Sequence, residues 1–174
     1  METKNCCKGC CIYKIQKYIH DDYQTVGFDR KQRKAGVFVV NRDRSKILLV
    51  QSRGQYWGPP KGTLYHDEGI VEGAIREVKE ETGIVFDVGE LGQPVTKGRA
   101  HYYFAEIDEC EIFIQNHIEN NDANGIGWFN LDCLPALIEK GIIVVNRHCK
   151  FLIKNILGIH IKSVYKKRFL NHKN

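Results

Sequence analysis

The chain has 174 residues, 43% of them hydrophobic and 27% charged, a balance that suits one folded domain with a proper core and excludes a disordered chain. No apolar run reaches the length of a membrane span, and the N-terminal METKNCCKGCC lacks the apolar stretch of an export signal, so a reducing, intracellular and most simply cytoplasmic setting is expected. A net charge of +5 and a pI near 8.8 fit a polyanionic partner better than a purely structural role.

The seven cysteines default to free thiols in such a setting. Cys6, Cys7, Cys10 and Cys11 are close enough in the chain to bind zinc, with Cys133, Cys149 and His148 as distant candidates to complete a site. A reduced tail that catalysis does not need is the plainer expectation. Residues 1–34 therefore read as a lead-in that ends in the basic run DRKQRK. The apolar, β-branched runs 35–40 (AGVFVV) and 47–51 (ILLVQ) predict two neighbouring strands joined by a turn over 41–46. The Gly- and Pro-rich stretch 52–62 (SRGQYWGPPKG) predicts a loop of fixed shape.

Residues 69–82 predict a helix. Ile70, Val71, Ala74, Ile75 and Val78 fall on one face, Asp67 and Glu68 stand where a helix N-terminus favours negative charge, and Gly83 stands where a helix stops. Glu77, Glu80 and Glu81 are spaced i, i+3 and i+4, so they share a face that adjoins the apolar one. Three crowded carboxylates repel one another unless a cation neutralises them, and hard oxygen ligands suit Mg2+ or Mn2+.

Residues 62–84, GTLYHDEGIVEGAIREVKEETGI, fill every defined position of GX5EX7REUXEEXGU, with U apolar. The stretch resembles the signature of the Nudix hydrolases. That resemblance implies an α+β fold, a mixed sheet sandwiched between helices, and metal-dependent hydrolysis of a pyrophosphate bond in a nucleoside diphosphate linked to another group. It implies that Glu77, Glu80 and Glu81 bind the metal, that Arg76 buttresses them, and that Gly62 offers a backbone oxygen. An intact set of box glutamates argues against a non-catalytic binding module.

Beyond the helix, residues 85–88 predict a short strand. Residues 100–107 (AHYYFAEI) predict a longer one, with 111–115 (EIFIQ) as its partner. The polar stretch 116–127 reads as a loop, 126–129 as a strand and 131–140 as a helix, with Asn130 or Asp132 near its start. Residues 142–157 and 159–170 predict one or two further helices, ending in a basic cluster that contains Lys166, Lys167 and Arg168. The organisation is thus a lead-in (1–34), a Nudix core (35–141) and a basic helical extension (142–174).

The box names a reaction and not a substrate. WGPPKG, residues 57–62, lies between the segments usual in mRNA-decapping enzymes and in diadenosine-tetraphosphate hydrolases, and Lys61 counts against diphosphoinositol-phosphate hydrolases. Trp57 and Tyr102 are candidates to stack on a base, and Lys61 and Arg99 to meet phosphates. Relatives often add a distal glutamate ahead of the Trp128 position. Here Asp122 is the best substitute and Glu119 the next. Together with the basic C-terminus, these features favour capped RNA as substrate, with dinucleoside polyphosphates as the alternative.

Overall fold

The computed structural model describes residues 2–6, 8–15, 32–52, 56–115 and 123–161. Its elements in chain order are β1 (Glu2–Asn5), β2 (Ile12–Ile15), β3 (Lys34–Asn41), β4 (Lys46–Ser52), β5 (Tyr56–Gly58), β6 (Lys61–Thr63), α1 (Ile70–Thr82), β7 (Val95–Lys97), β8 (Ala100–Ile107), β9 (Ala123–Asn130), α2 (Leu134–Glu139), β10 (Val144–Val145) and α3 (Arg147–Leu157). The main sheet runs β1-β2-β9-β4-β3-β8-β7, with β6 paired to β3, and β5 joining β4 to β10. It is mixed: β3 and β8 are parallel, as are β5 and β10, while β4 is antiparallel to β3, β5 and β9.

The near-continuous apolar runs of β3 and β4 follow from burial on both faces. With a period of two, Ala35, Val37, Val39, Leu48 and Val50 meet Ala74 and Val78 of α1. The intervening Phe38, Val40, Ile47 and Leu49 meet Leu134, Leu137 and Ile138 of α2 and Leu152 and Ile153 of α3. The sheet therefore lies between α1 and the α2–α3 pair, as the α+β reading expected. Helix α1 spans the anticipated residues and stops at Gly83, whose φ of 79° puts it in the left-handed conformation that only glycine adopts without strain.

Several expectations are corrected. Residues 85–88 form no strand; a 3-10 turn occupies Val88–Glu90, closed by reciprocal bonds between Asp87 and Glu90. The partner of β8 is not 111–115. Both edges of β8 are already taken, by β3 in parallel and by β7 across the two-residue Gly98-Arg99 turn. Residues 111–115 keep their alternation without pairing: Ile112 and Ile114 are buried on the α1 side, and Phe113 faces out. Residues 142–146 are not helical, because β10 lies beside β5 before α3 begins. Asn146 caps α3 by accepting from the Cys149 amide at 2.8 Å, and its own amide donates to the Trp57 carbonyl at 2.8 Å. Helix α2 is shorter than expected, starts after Cys133, and has no side-chain cap from Asn130 or Asp132.

The stretch read as a lead-in contributes to the sheet. Strands β1 and β2 form a hairpin, and β2 pairs with β9 from Ile12↔Trp128 to Ile15↔Gly125. Tyr13 is buried against Trp57 and Phe129. The predicted helix over 159–170 and the basic cluster at 166–168 lie largely outside the described residues, as do residues 16–31.

Candidate active site

The carboxylate face of α1 is organised by Arg76. Its Nε and Nη2 donate to the two oxygens of Glu68 at 2.7 and 2.9 Å. Its Nη1 donates to Glu77 Oε1 and to Glu80 Oε2, both at 2.9 Å, and Nη2 also donates to the Thr63 carbonyl at 3.0 Å. The guanidinium lies 4.0 Å from the centroid of the Tyr65 ring. A planar fork with five donors can serve this many acceptors, and a lysine cannot. The Glu68 bond and the Glu77 and Glu80 charges outweigh burial and raise Arg76 further above its already high ordinary value. In return, Arg76 holds the Glu68 carboxyl below the usual carboxylate range, against a smaller opposing effect of burial.

Glu68 was read from the sequence only as a favourable charge near the helix start. Its structural role is to anchor Arg76, and its place in the box was the one signal for that.

Glu81 is buried, at 4% exposure, where the α1 carboxylate face meets the sheet. Its Oε2 accepts from the Lys61 backbone amide at 2.8 Å. Strand β6 delivers that amide. Lys61 pairs with Gly36 and Gly62 with Ala35, and the Val37 amide binds the Pro60 carbonyl at 3.1 Å. Gly36 has to be glycine because a side chain there would overlap the Pro60 carbonyl and Lys61. A methyl group at Gly62 would overlap the Glu77 carboxylate, so the β6 backbone and the acid lie in direct apposition. Hard oxygen donors suit a divalent cation, and Glu77, Glu80, Glu81 and the Gly62 carbonyl could hold one.

The other expected substrate residues divide. Trp57 is 1% exposed and packed edge-on against Tyr13 and Phe129, which makes it a core residue and not a stacking platform. Tyr102 is fully buried, its hydroxyl 2.8 Å from His148 Nδ1. Burial pushes the Tyr102 phenol up, with nearby Cys149 and Glu81 adding to the shift. Burial and the charges of Lys61, Lys97 and Lys34 push His148 down. Both groups are therefore held neutral near pH 7. Tyr56 is the exposed aromatic beside Trp57. Lys61 is half-buried, and Arg99 is exposed at the β7–β8 turn, where its carbonyl accepts from the Lys34 amide at 2.9 Å. Asp122 and Glu119 lie outside the described residues; β9 begins one position after Asp122.

The NUDIX domain family matches residues 30–146, which take in β3 through β10 and the whole Arg76-centred site. The chain belongs to the Nudix family. This Nudix hydrolase is 34% identical over 157 residues to the hydrolase-named 111R protein of Invertebrate iridescent virus 3, covering 84% of this chain and 90% of that one. It is 31% identical over 113 residues to the m7GpppN-mRNA hydrolase of Saccharomyces cerevisiae, covering 62% of this chain but only 12% of the yeast protein. Over 144 residues it is 28% identical to m7GpppN-mRNA hydrolase dcap-2 of Caenorhabditis elegans, spanning 75% of this chain and 18% of that protein. Among solved structures, a MutT Nudix hydrolase from Burkholderia pseudomallei shares the fold at a TM-score of 0.54 and 23% identity, over 72% of this chain and 97% of that one. The Caenorhabditis elegans Ap4A hydrolase does so at 0.52 and 19%, over 73% and 96%. Nudix hydrolases work with a divalent metal. Among the described residues no helix is long and apolar enough to cross a membrane.

Proposed function

We propose that this Nudix hydrolase cleaves the 5′ cap of RNA, releasing 7-methylguanosine diphosphate and a 5′-monophosphorylated RNA. The observation that carries this reading is the likeness to the yeast and nematode proteins named as m7GpppN-mRNA hydrolases. The WGPPKG loop and the net charge of +5 support it. The solved neighbours support the fold alone, being under 25% identical.

In this reading Glu77, Glu80 and Glu81, with the Gly62 carbonyl, hold Mg2+ or Mn2+. When bound there, such a cation would supply Lewis-acid chemistry, offsetting phosphate charge and making water more acidic. Arg76 orients Glu77 and Glu80 through its Nη1, and the Lys61 amide orients Glu81. The Lys61 ammonium meets phosphate oxygens, and Arg99 adds positive charge at the edge of the sheet. Asp122 takes the proton from the attacking water, with Glu119 as its substitute. The buried Trp57 and Tyr102 support the loop and the sheet, and the exposed Tyr56 is the ring of this loop that meets a base. The C-terminal Lys166, Lys167 and Arg168 bind the RNA body through its phosphates.

The test is a substrate panel with Mg2+ or Mn2+: capped RNA, free cap dinucleotide, diadenosine tetraphosphate and diphosphoinositol phosphates. Capped RNA is expected to be cleaved best, with an affinity that falls steeply with salt and with charge reversal at Lys166, Lys167 and Arg168. Faster turnover of diadenosine tetraphosphate, with capped RNA no better than free cap, overturns the substrate and leaves the Nudix chemistry standing.

A further inference from the structure

The cysteines of the N-terminal hairpin converge on a fourth thiol that stands just past β9, the strand β2 pairs with. Cys6, Cys10, Cys11 and Cys133 place their sulfurs all within 4.8 Å of one another. Cys6 Sγ lies 3.5 Å from Cys10 Sγ, and Cys10 Sγ lies 3.1 Å from Cys133 Sγ, although Cys10 and Cys133 are 123 residues apart in the chain. Four sulfurs at about 2.3 Å from one zinc ion stand about 3.8 Å from each other in a tetrahedron, so the four thiols need only small shifts to reach that arrangement. Cys6, Cys11 and Cys133 are buried, and all four are free thiols.

The backbone that carries Cys6, Cys10 and Cys11 is held in a tight, hydrogen-bonded turn. The Gly9 amide donates to the Cys6 carbonyl at 2.9 Å and the Cys6 amide to the Cys11 carbonyl at 3.2 Å. Gly9 turns the chain with a φ of 70°. The Asn130 amide donates to Cys11 Sγ at 3.2 Å, the kind of outer contact that orients a thiolate ligand. Of the three distant partners considered for a zinc site, the fold selects Cys133. His148 is engaged with Tyr102, and Cys149 is buried in α3 outside the cluster. Cys7 lies outside the described residues.

We propose that Cys6, Cys10, Cys11 and Cys133 form a structural zinc site that staples the β1–β2 hairpin to the corner between β9 and α2. The donor set is all sulfur and leaves no position for substrate, as in closed structural sites. On binding, each protonated thiol releases its proton to solvent and its thiolate coordinates the ion, with no change of oxidation state. The site is separate from the α1 carboxylates, and the proposal does not depend on which nucleotide is hydrolysed. The mechanical reason for a staple lies in the topology. Among the described residues β1 pairs with β2 alone, and β2 joins the sheet through four register pairs with β9. A metal shared between Cys133 and the hairpin turn fixes that edge.

The experiment uses the full chain, expressed in zinc-containing medium and purified under reducing conditions. Elemental analysis is expected to give one zinc per chain. Alkylation followed by peptide mass spectrometry should show Cys6, Cys10, Cys11 and Cys133 protected together, and modified together once a strong chelator has removed the ion. The exposed Cys110 should be modified in both states. The Cys133→Ser variant should lose the zinc and the Cys110→Ser variant should keep it. Because the alkylation arm uses the unaltered chain, it decides the matter even if Cys133→Ser fails to fold. A folded chain without zinc, zinc that leaves these four thiols reactive, or disulfides among them overturns the proposal.

Discussion

Replacing Glu68 by Gln isolates the part of the site that orients Arg76. The substitution keeps the size of the side chain and removes its charge. Glu68 now accepts two bonds from the guanidinium, at 2.7 and 2.9 Å, and one from the Tyr65 amide at 2.9 Å. A glutamine can keep one acceptor bond but turns its NH2 group toward a cation. A hydrogen bond to a charged group is worth about 1.5–3 kcal/mol, and the retained neutral bond returns part of it, so the expected loss is about 1–2 kcal/mol. For a chain of this size that is a drop in Tm of about 2–8 °C.

The effect on turnover should be larger than the effect on the fold, because Arg76 also holds Glu77 and Glu80. A supporting residue displaced from behind a metal ligand costs about 10–100-fold in activity, expected in kcat with KM little changed. The pH dependence has a definite sign. Glu68 has a folded-state pKa below its ordinary 4.5, so its contribution is fully present above that value and is lost as the pH falls through the lowered one. The gap in Tm between the wild type and Glu68→Gln should therefore close on acidification. Equal Tm and kcat at neutral pH, or a gap that stays constant into acid, refutes the role given to Glu68.

Glu81→Gln should lower kcat by orders of magnitude in the presence of Mg2+ or Mn2+ while circular dichroism shows an intact fold, and near-normal turnover would remove Glu81 from the metal set. Gly62→Ala places a methyl group against the Glu77 carboxylate, and an active site displaced by about 1 Å costs about 100-fold in kcat. If steady-state kinetics show Gly62→Ala to be unaffected, β6 does not position the acids. Trp57→Ala should cost about 3–5 kcal/mol in a denaturant titration, as a buried aromatic does, and a merely local rise in KM would return Trp57 to the substrate.

The sequence by itself was sufficient for the central helix, the acids on it and the family. Those rest on local rules: apolar spacing along one helix, i, i+3 and i+4 proximity of Glu77, Glu80 and Glu81, and a glycine stop at Gly83. The strands β3 and β4 were equally legible, because burial on both faces leaves an unbroken apolar run. The turn over 41–46 made β3 and β4 legible as neighbours, but pairing between distant strands was not legible, since a strand pattern such as 111–115 carries the alternation but not the knowledge that both edges of β8 are occupied. The burial of Trp57 and Tyr102 was also decided in three dimensions. An aromatic beside a substrate loop looks the same in sequence whether its ring faces water or, as here, Phe129 and His148. The meeting of Cys133 with Cys6, Cys10 and Cys11 belongs to the same class. Chain spacing can report neighbours only a few residues away, whereas the pairing of β2 with β9 sets the N-terminal hairpin beside the corner where Cys133 stands.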